Sequence, residues 1–455
     1  MGLMLVAVTL GVLATGCEKG PQQSGDGDAG ADSSTDVDAI DTAERDGEGD
    51  DTSDVASDVT GDATTEVTED ATPDASEDPG LLDIADLSYV GGCRVPADEF
   101  GASSMNYSEG PIAYDAQSDS VVLVGHSHHQ AIAQFPVPEL VDSDTVSDLQ
   151  MAGDPSQSFA TVLDRIDNPQ GVNRIGGMAV FEGNDGYELL INAYEYYDAP
   201  GDNTHTSLVV RDASGLEESA VDGFFEMGGR AHASGWMSPI PPEWQEELGG
   251  THITGNSSGQ PIISRLSVGP SAFVFDPFEV VGTDRTDGGI ETAALLDFSL
   301  ENPLEDDLSN ESGDNDVWTH LSRATYGFIA PDSRTYVTLG HSGGHDSGVC
   351  YKCVQSGEDD ACGGYCSNDP ADNDTYYWLW DVEDLVAVKE GQLQPHEVRP
   401  YEYGEFEIPF ATNSIGGGSY DPESNRLFLT AQAADRDQGQ YSNPPIIMVY
   451  EVEGR

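Results

Sequence analysis

The sequence predicts an all-β chain, a β-propeller of five blades behind a disordered N-terminal tether, and three observations carry that prediction. A small, Gly-flanked apolar stretch recurs five times, at residues 110–115, 176–181, 235–240, 327–331 and 416–421. Each copy is followed by two further short runs of β-like pattern, and none is large enough to bury a core alone. The spacing is long: Gly110 and Gly416 lie 306 residues apart across four intervals, a mean near 77. Short strands repeating at a long period mark a radial array in which neighbouring blades cover each other's faces, and this period favours five blades with long loops. An irregular β-sandwich is the alternative that such strands also suit.

Taken in order, the first run of each copy is the strand along the central axis. The second runs return from it at 121–124, 188–191, 261–264, 335–339 and 426–429. The third runs, 131–135, 207–212, 271–276, 377–381 and 446–450, alternate apolar and polar residues and mostly end in an acid. Residues 99–107 are expected to close the ring by adding a strand to the last blade. Pro242 is expected at a helix start, with Trp244 packing back onto its blade.

The N-terminus reads as an export signal. An apolar run from Leu3 to Leu13 leads into Ala14-Thr-Gly-Cys17, and it is too short to span a bilayer. This stretch resembles the lipobox of bacterial lipoproteins, with Ala14 where Leu is usual. The resemblance implies that Cys17 is the acylated first residue of the mature chain, and Glu18 in place of a retention Asp implies the outer membrane. From Glu18 to Gly80 the chain holds 21 acids against Lys19 and Arg45, with almost nothing apolar. Such a segment cannot bury enough surface to fold, and self-repulsion extends it. The expected organisation is a lipoprotein signal and lipidation Cys over 1–17, a disordered acidic linker over 18–85 and the propeller over 86–455.

Removing the tether from the chain's 84 acids and 17 bases leaves 63 and 15, a net charge of −48 on the folded part. That excludes nucleic acid as a partner, since phosphate binding needs basic patches, and anionic headgroups would be repelled too. The membrane is expected as a partner through the lipid alone. With only Lys19, Lys352 and Lys389 in the chain, the surface suits salty water, where screening removes self-repulsion. A cationic ligand or divalent ion is the alternative use of the acids.

Four Cys fall at Cys350, Cys353, Cys362 and Cys366. Two close pairs suit a tetrahedral zinc site in a reducing cell, whereas export favours two disulfides. Cys350 to Cys366, with Cys353 to Cys362 nested inside, is one pairing among three that the sequence leaves open. Cys93 remains, as a buried thiol or with a partner not identified.

Loops leading into a first strand and loops leaving the second lie on one face of a propeller. Seven of the ten His fall in such loops: His126, His128, His129, His232, His320, His341 and His345. Gly-His-Ser occurs twice, at 125–127 and 340–342. His clusters hold transition metals through neutral imidazole; His with Arg174, Arg230 and Arg323 would bind a phosphate or sugar carboxylate; Tyr107, Tyr194 and Trp236 would stack on sugar rings. The expected ligand-binding set is His126, His128, Tyr194, Arg230, His232, His320, Arg323, His341 and Asn413, with no metal site and no cofactor. Imidazole contacts would make binding depend on pH between about 5.5 and 7.5. The competing account is that Gly-His-Ser is turn chemistry alone. The Cys-rich insertion after His345 is expected to form a lid over this face.

A glycosidase would need carboxylates on both sides of the scissile bond. The inner strands carry Asp115 and Asp421 at their far ends and Glu109 alone at the mouth, with Glu195 and Asp198 as supplements from a loop. No His-Glu-x-x-His motif or phosphate loop is present, and the Asp-rich stretch 306–316 lacks the spacing of a calcium-binding hand.

Residues 235–245, which read Gly-Trp-Met-Ser-Pro-Ile-Pro-Pro-Glu-Trp-Gln, and segments 254–256, 269–277, 384–389 and 414–422 resemble a family of secreted bacterial β-propeller proteins, here in the form of a Gram-negative surface lipoprotein with an acidic tether. The resemblance covers most of the chain from Asn106 onward. It implies a propeller and export, and it carries over no catalytic residue. The expectation is a monomeric outer-membrane lipoprotein whose top face binds an extracellular small molecule or glycan. A glycoside hydrolase-like or metal-dependent enzyme using the same face, and a surface scaffold or adhesion protein, are the alternatives.

Overall fold

The computed structural model describes residues 79–198, 201–257 and 268–453. Five sheets stand around one axis, giving a five-bladed propeller. Blade one is Ile112–Asp115, Ser120–Val124, Ala131–Pro136 and Gln157–Thr161; blade two is Arg174–Glu182, Tyr187–Tyr194, His205–Val210 and Val221–Met227. Blade three is Met237–Pro239, His252–Thr254, Ala272–Phe275 and Thr292–Leu296; blade four is Arg323–Ile329, Thr335–Gly343, Asn373–Asp381 and Glu402–Glu405. Blade five is Ile415–Asp421, Arg426–Ala431 and Ile446–Val452, completed by Leu87–Arg94.

Two expected strands are corrected. The ring is closed by Leu87–Arg94, which pairs antiparallel with Ile446–Val452, and not by residues 99–107. The latter are held instead as a loop against blade one: the Ala102 N–H donates to the Phe159 carbonyl, and the His126 N–H to that of Ser104. The return strand of blade three is His252–Thr254; residues 261–264 lie outside the described residues. With Ile253 as its one strongly apolar residue, that short strand leaves little pattern to read.

The Gly flanks of the inner strands have a steric cause. A Cβ on Gly177 would sit 2.0 Å from the Gly235 carbonyl oxygen, and one on Gly235 2.1 Å from that of Gly255. Backbones touch directly where blades two and three meet, so a side chain there is excluded. Every junction also carries a hydrogen bond. Ile175 N–H donates to Gln130 Oε1 (2.7 Å), Asn192 Nδ2 to the Gly235 carbonyl (3.2 Å) and Trp236 Nε1 to Tyr336 Oη (3.1 Å). The Tyr420 N–H donates to Tyr326 Oη (2.7 Å), and the Tyr114 N–H to Ser419 Oγ (3.0 Å). Buried polar groups at the axis are thereby satisfied across blades.

The largest core cluster lies under blades three to five and includes Trp318, Trp378, Trp380 and Phe328. Helix Pro242–Leu248 begins with Pro at its first turn, and Trp244 is buried with Nε1 donating to the Ser333 carbonyl, 3.2 Å. Among the described residues no helix is long and apolar enough to cross a membrane.

The Cys-rich insertion is a hairpin, Val349–Tyr351 against Tyr365–Ser367, with Cys350 opposite Cys366. The disulfides are local, Cys350 to Cys353 and Cys362 to Cys366, rather than nested. The strand ladder already joins the two arms, so each bond ties an arm to its own continuation. Cys93 is a fully buried free thiol whose pKa burial pushes up to about 12, leaving it inert.

Candidate functional site

The inner strands begin around a common mouth. Gly110, Ile175, Trp236, Ala324 and Gly416, one from the start of each, line a cavity there. Antiparallel pairing returns the second strand to the same end, so Arg174 lies opposite Tyr194, Arg323 opposite His341 and Ser108 opposite His126. The interior is ≈ 50 Å³, room for a few waters or one small oxyanion, and well below the several hundred Å³ of a site that engulfs an organic ligand.

Arg174, Arg323 and Glu109 are the charged groups of the wall. Among the described residues, Arg94, Arg211, Arg285, Arg334 and Arg426 pair with carboxylates, as a strongly acidic chain encourages. The mouth differs. Among the described residues, the partly buried Arg323 guanidinium has no hydrogen-bond or carboxylate partner. Arg174 donates to the Asn173 carbonyl (2.9 Å) and lies 5.2 Å from the centre of the Tyr196 ring.

Of the sequence-derived set, Tyr194 and Arg323 line this cavity. The others sit around it with work of their own. His341 reaches from blade four to blade five, with Nδ1 3.3 Å from Ser414 Oγ; burial first, and then the Arg323 charge, lower its pKa to about 3. It stays neutral across the pH range in which imidazole contacts were expected to titrate. His126 packs against Tyr107 and His129 and accepts from the His128 N–H on Nδ1, 3.1 Å; burial and its neighbouring imidazoles lower its pKa, against Glu109. His128 is exposed, on a separate hollow between blades one and two. His232 pairs with Asp297 at 2.7 Å, and His320 stacks on Tyr365 with ring centres 4.1 Å apart. Arg230 and Asn413 are exposed and line no part of the cavity.

The first Gly-His-Ser copy acts in a turn, whereas the second lies within the strand Thr335–Gly343, where His341 is opposite Thr375. The His126 N–H donates to Ser103 Oγ (3.1 Å), and Ser342 Oγ bridges Ser322 Oγ (2.7 Å) and His345 Nε2 (2.6 Å). The disulfide hairpin contributes nothing to the cavity wall, so it is no lid; it rests on the loop before blade four through the stack of Tyr365 on His320 and the Val349 N–H, which donates to the Ser309 carbonyl at 2.8 Å. Among the described residues no group of three or more His, Cys, Asp or Glu is placed to hold a metal ion. Asp198 is 1% exposed and accepts from the Gly201 N–H (2.9 Å), and Glu195 accepts from Asn203 Nδ2 (2.9 Å). Those carboxylates organise a loop, and Glu109 stays the sole acid of the mouth.

Gln130 and Tyr196 line the mouth without having been read from the sequence. Gln130 sits at φ +50° just past the blade-one return strand and spends its amide on Ile175 and Ser127; no spacing marks such a residue. The run Tyr194-Glu-Tyr-Tyr-Asp198 is the signal that could have flagged Tyr196.

No protein-family model matches the chain, and no curated protein matches it. Among solved structures, the crystal structure of an ancestral GH74 enzyme aligns at 9% identity with a TM-score of 0.32, over 78% of this chain. This chain spans about a third, 34%, of that one. At that degree of likeness nothing about ligand or reaction transfers.

Proposed function

We propose that this is an exported, lipid-anchored protein of the outer membrane whose propeller binds the carboxylate of a small acidic saccharide at the arginine-lined mouth. The observation that carries the reading is Arg323, a partly buried guanidinium left without an anion in a chain of net charge −67. Burying an unpaired charge is costly, so a ligand anion is what would make the arrangement favourable. Arg174 supplies a second guanidinium, and planar guanidinium groups match carboxylate geometry. The ≈ 50 Å³ interior takes the anionic head but not a sugar ring. The ring would rest outside on Tyr196, which is 41% exposed, with Glu109 accepting from hydroxyls. The two disulfides fit an oxidising compartment, and the tether would hold the mouth away from the membrane.

Calorimetric titration of the full chain with glucuronate tests the site. The expected result is one saturable event, weakened by at least about tenfold in Arg323→Gln. Inorganic phosphate binding as tightly would mean that the anionic head alone is recognised, and absence of binding by both would end the reading. For the anchor, Cys17→Ala should move the protein from the membrane to the soluble fraction without changing its thermal melt; unchanged fractionation would remove the lipid from the account.

A further inference from the structure

The far ends of the inner strands of blades one, two, three and five enclose a second cavity, ≈ 350 Å³ in volume, within the range of small-molecule sites. Its wall carries the carboxylates Asp115, Glu182, Asp421 and Glu423 and no Lys or Arg. A ring of acids alone is only solvated surface, and two of these are committed to turns. Asp115 accepts from the Gln117 N–H (3.1 Å) and from Gln134 Nε2 (2.9 Å), and Asp421 from the Ser424 N–H (3.1 Å). The carboxylates of Glu182 and Glu423 are exposed at the rim and meet no hydrogen-bond or ion-pair partner among the described residues.

Two independent observations point to an occupant. Ser238, on the inner strand of blade three, lines the cavity, is 2% exposed, and its hydroxyl meets no partner among the described residues. A buried hydroxyl left unsatisfied is unfavourable, so a group in the cavity that donates to it or accepts from it would remove that cost. The wall also carries four aromatic rings, Tyr114, Phe181, Tyr187 and Tyr420, beside aliphatic groups such as Val180 and Met237. His252 is the one basic side chain on it. It is packed among Phe181, Phe275 and Phe278, and burial, opposed by Asp276, lowers its pKa to about 4. It therefore adds no positive charge at neutral pH.

We infer that this cavity binds an organic ammonium ion the size of a short diamine, its nitrogens held by Glu182 and Glu423, one N–H donated to Ser238, and its methylenes lying on the aromatic wall. Carboxylates beside π faces suit such a cation. A divalent metal ion is the poorer match, because it needs several oxygens converging at 2.0–2.6 Å or so, and among the described residues no such group of acids is present.

The test must separate a site from diffuse attraction to an acidic protein. The full chain is titrated with 1,4-diaminobutane at physiological salt, which screens the diffuse term. One saturable event per chain is expected. Glu182→Gln with Glu423→Gln should weaken it by at least about tenfold. Glu217→Gln with Glu218→Gln, an exposed acidic pair that lines neither cavity, should change it by less than about twofold. Ser238→Ala should weaken it by about threefold without lowering the melting temperature, since no hydrogen bond within the protein is lost. Absence of a saturable event, equal weakening by the two acid pairs, or a Ser238→Ala variant that melts lower and binds unchanged would each overturn the proposal.

Discussion

The two cavities lie at opposite ends of the inner strands, yet they differ in charge, size and occupancy of their polar groups. At the starting end, Arg174 and Arg323 face an interior of ≈ 50 Å³; at the far end, four carboxylates and four aromatic rings surround ≈ 350 Å³. The cause is the loop chemistry at each end. The far end is built from tight turns such as 115–120 and 421–426, where Asp is favoured because its carboxylate bonds the following N–H groups, as Asp115 and Asp421 do. The starting end gathers loops from two places in each blade, and there loop contacts engage some side chains, such as Asp198, while Arg323 carries its charge without a carboxylate among the described residues. A charge unspent on the scaffold, Arg323 at one mouth and Glu182 with Glu423 at the other, separates a candidate ligand group from a structural one. Near each cavity lies one half-buried imidazole, His341 and His252, whose pKa desolvation lowers.

The comparison can be broken outright at the axis. Gly235→Val places a side chain where a Cβ alone would lie 2.1 Å from the Gly255 carbonyl oxygen, and a loss of more than about 4 kcal/mol is expected. Denaturant unfolding should show it, with both binding events lost together. Survival of one mouth would mean that the ends are independently supported.

A smaller effect is expected from acid. His341 and His252 have folded pKa values of about 3 and about 4 against 6.5 unfolded. The unfolded chain therefore binds protons first as pH falls. Their contribution is full above pH 6.5 and is lost on acidification towards those folded values. Between pH 6.5 and 5, above the carboxylate range, each should remove about 1.5 kcal/mol. His341→Gln and His252→Gln should each flatten that slope by its share, whatever their absolute stabilities. A slope unchanged in either variant would show that its imidazole is not buried neutral.

Exchange of ligands sharpens the contrast further. Arg323→Gln should weaken glucuronate by about tenfold and leave 1,4-diaminobutane within twofold or so, while Glu182→Gln with Glu423→Gln should do the reverse. Cross-effects of equal size would mean that net charge, rather than two sites, governs both. The least effect belongs to the hairpin. Replacing Cys350, Cys353, Cys362 and Cys366 by Ser should change glucuronate affinity by less than about twofold, because none of the four lines the mouth; a larger loss would restore the lid.

The five repeats, and with them the blade number and the inner strands, were legible from residue order alone, because a strand buried between neighbouring blades must be short, apolar and glycine-flanked wherever it occurs. The sharing of one face by loops 125–129 and 340–345 followed from antiparallel pairing, which is local geometry. Ring closure by Leu87–Arg94 was not legible: a strand's partner 350 or more residues away is chosen by packing, and residues 99–107 were equally near in sequence. Nor were the roles of the histidines. Gly-His-Ser looks the same whether its imidazole sits beside other imidazoles in a loop, as at His126, or reaches from one blade to the next, as at His341. Sequence determined which groups reach each end of the inner strands; the tertiary structure decided which of them are already bonded, because hydrogen-bond partners such as Ser414 for His341 and Asp297 for His232 come from distant parts of the chain.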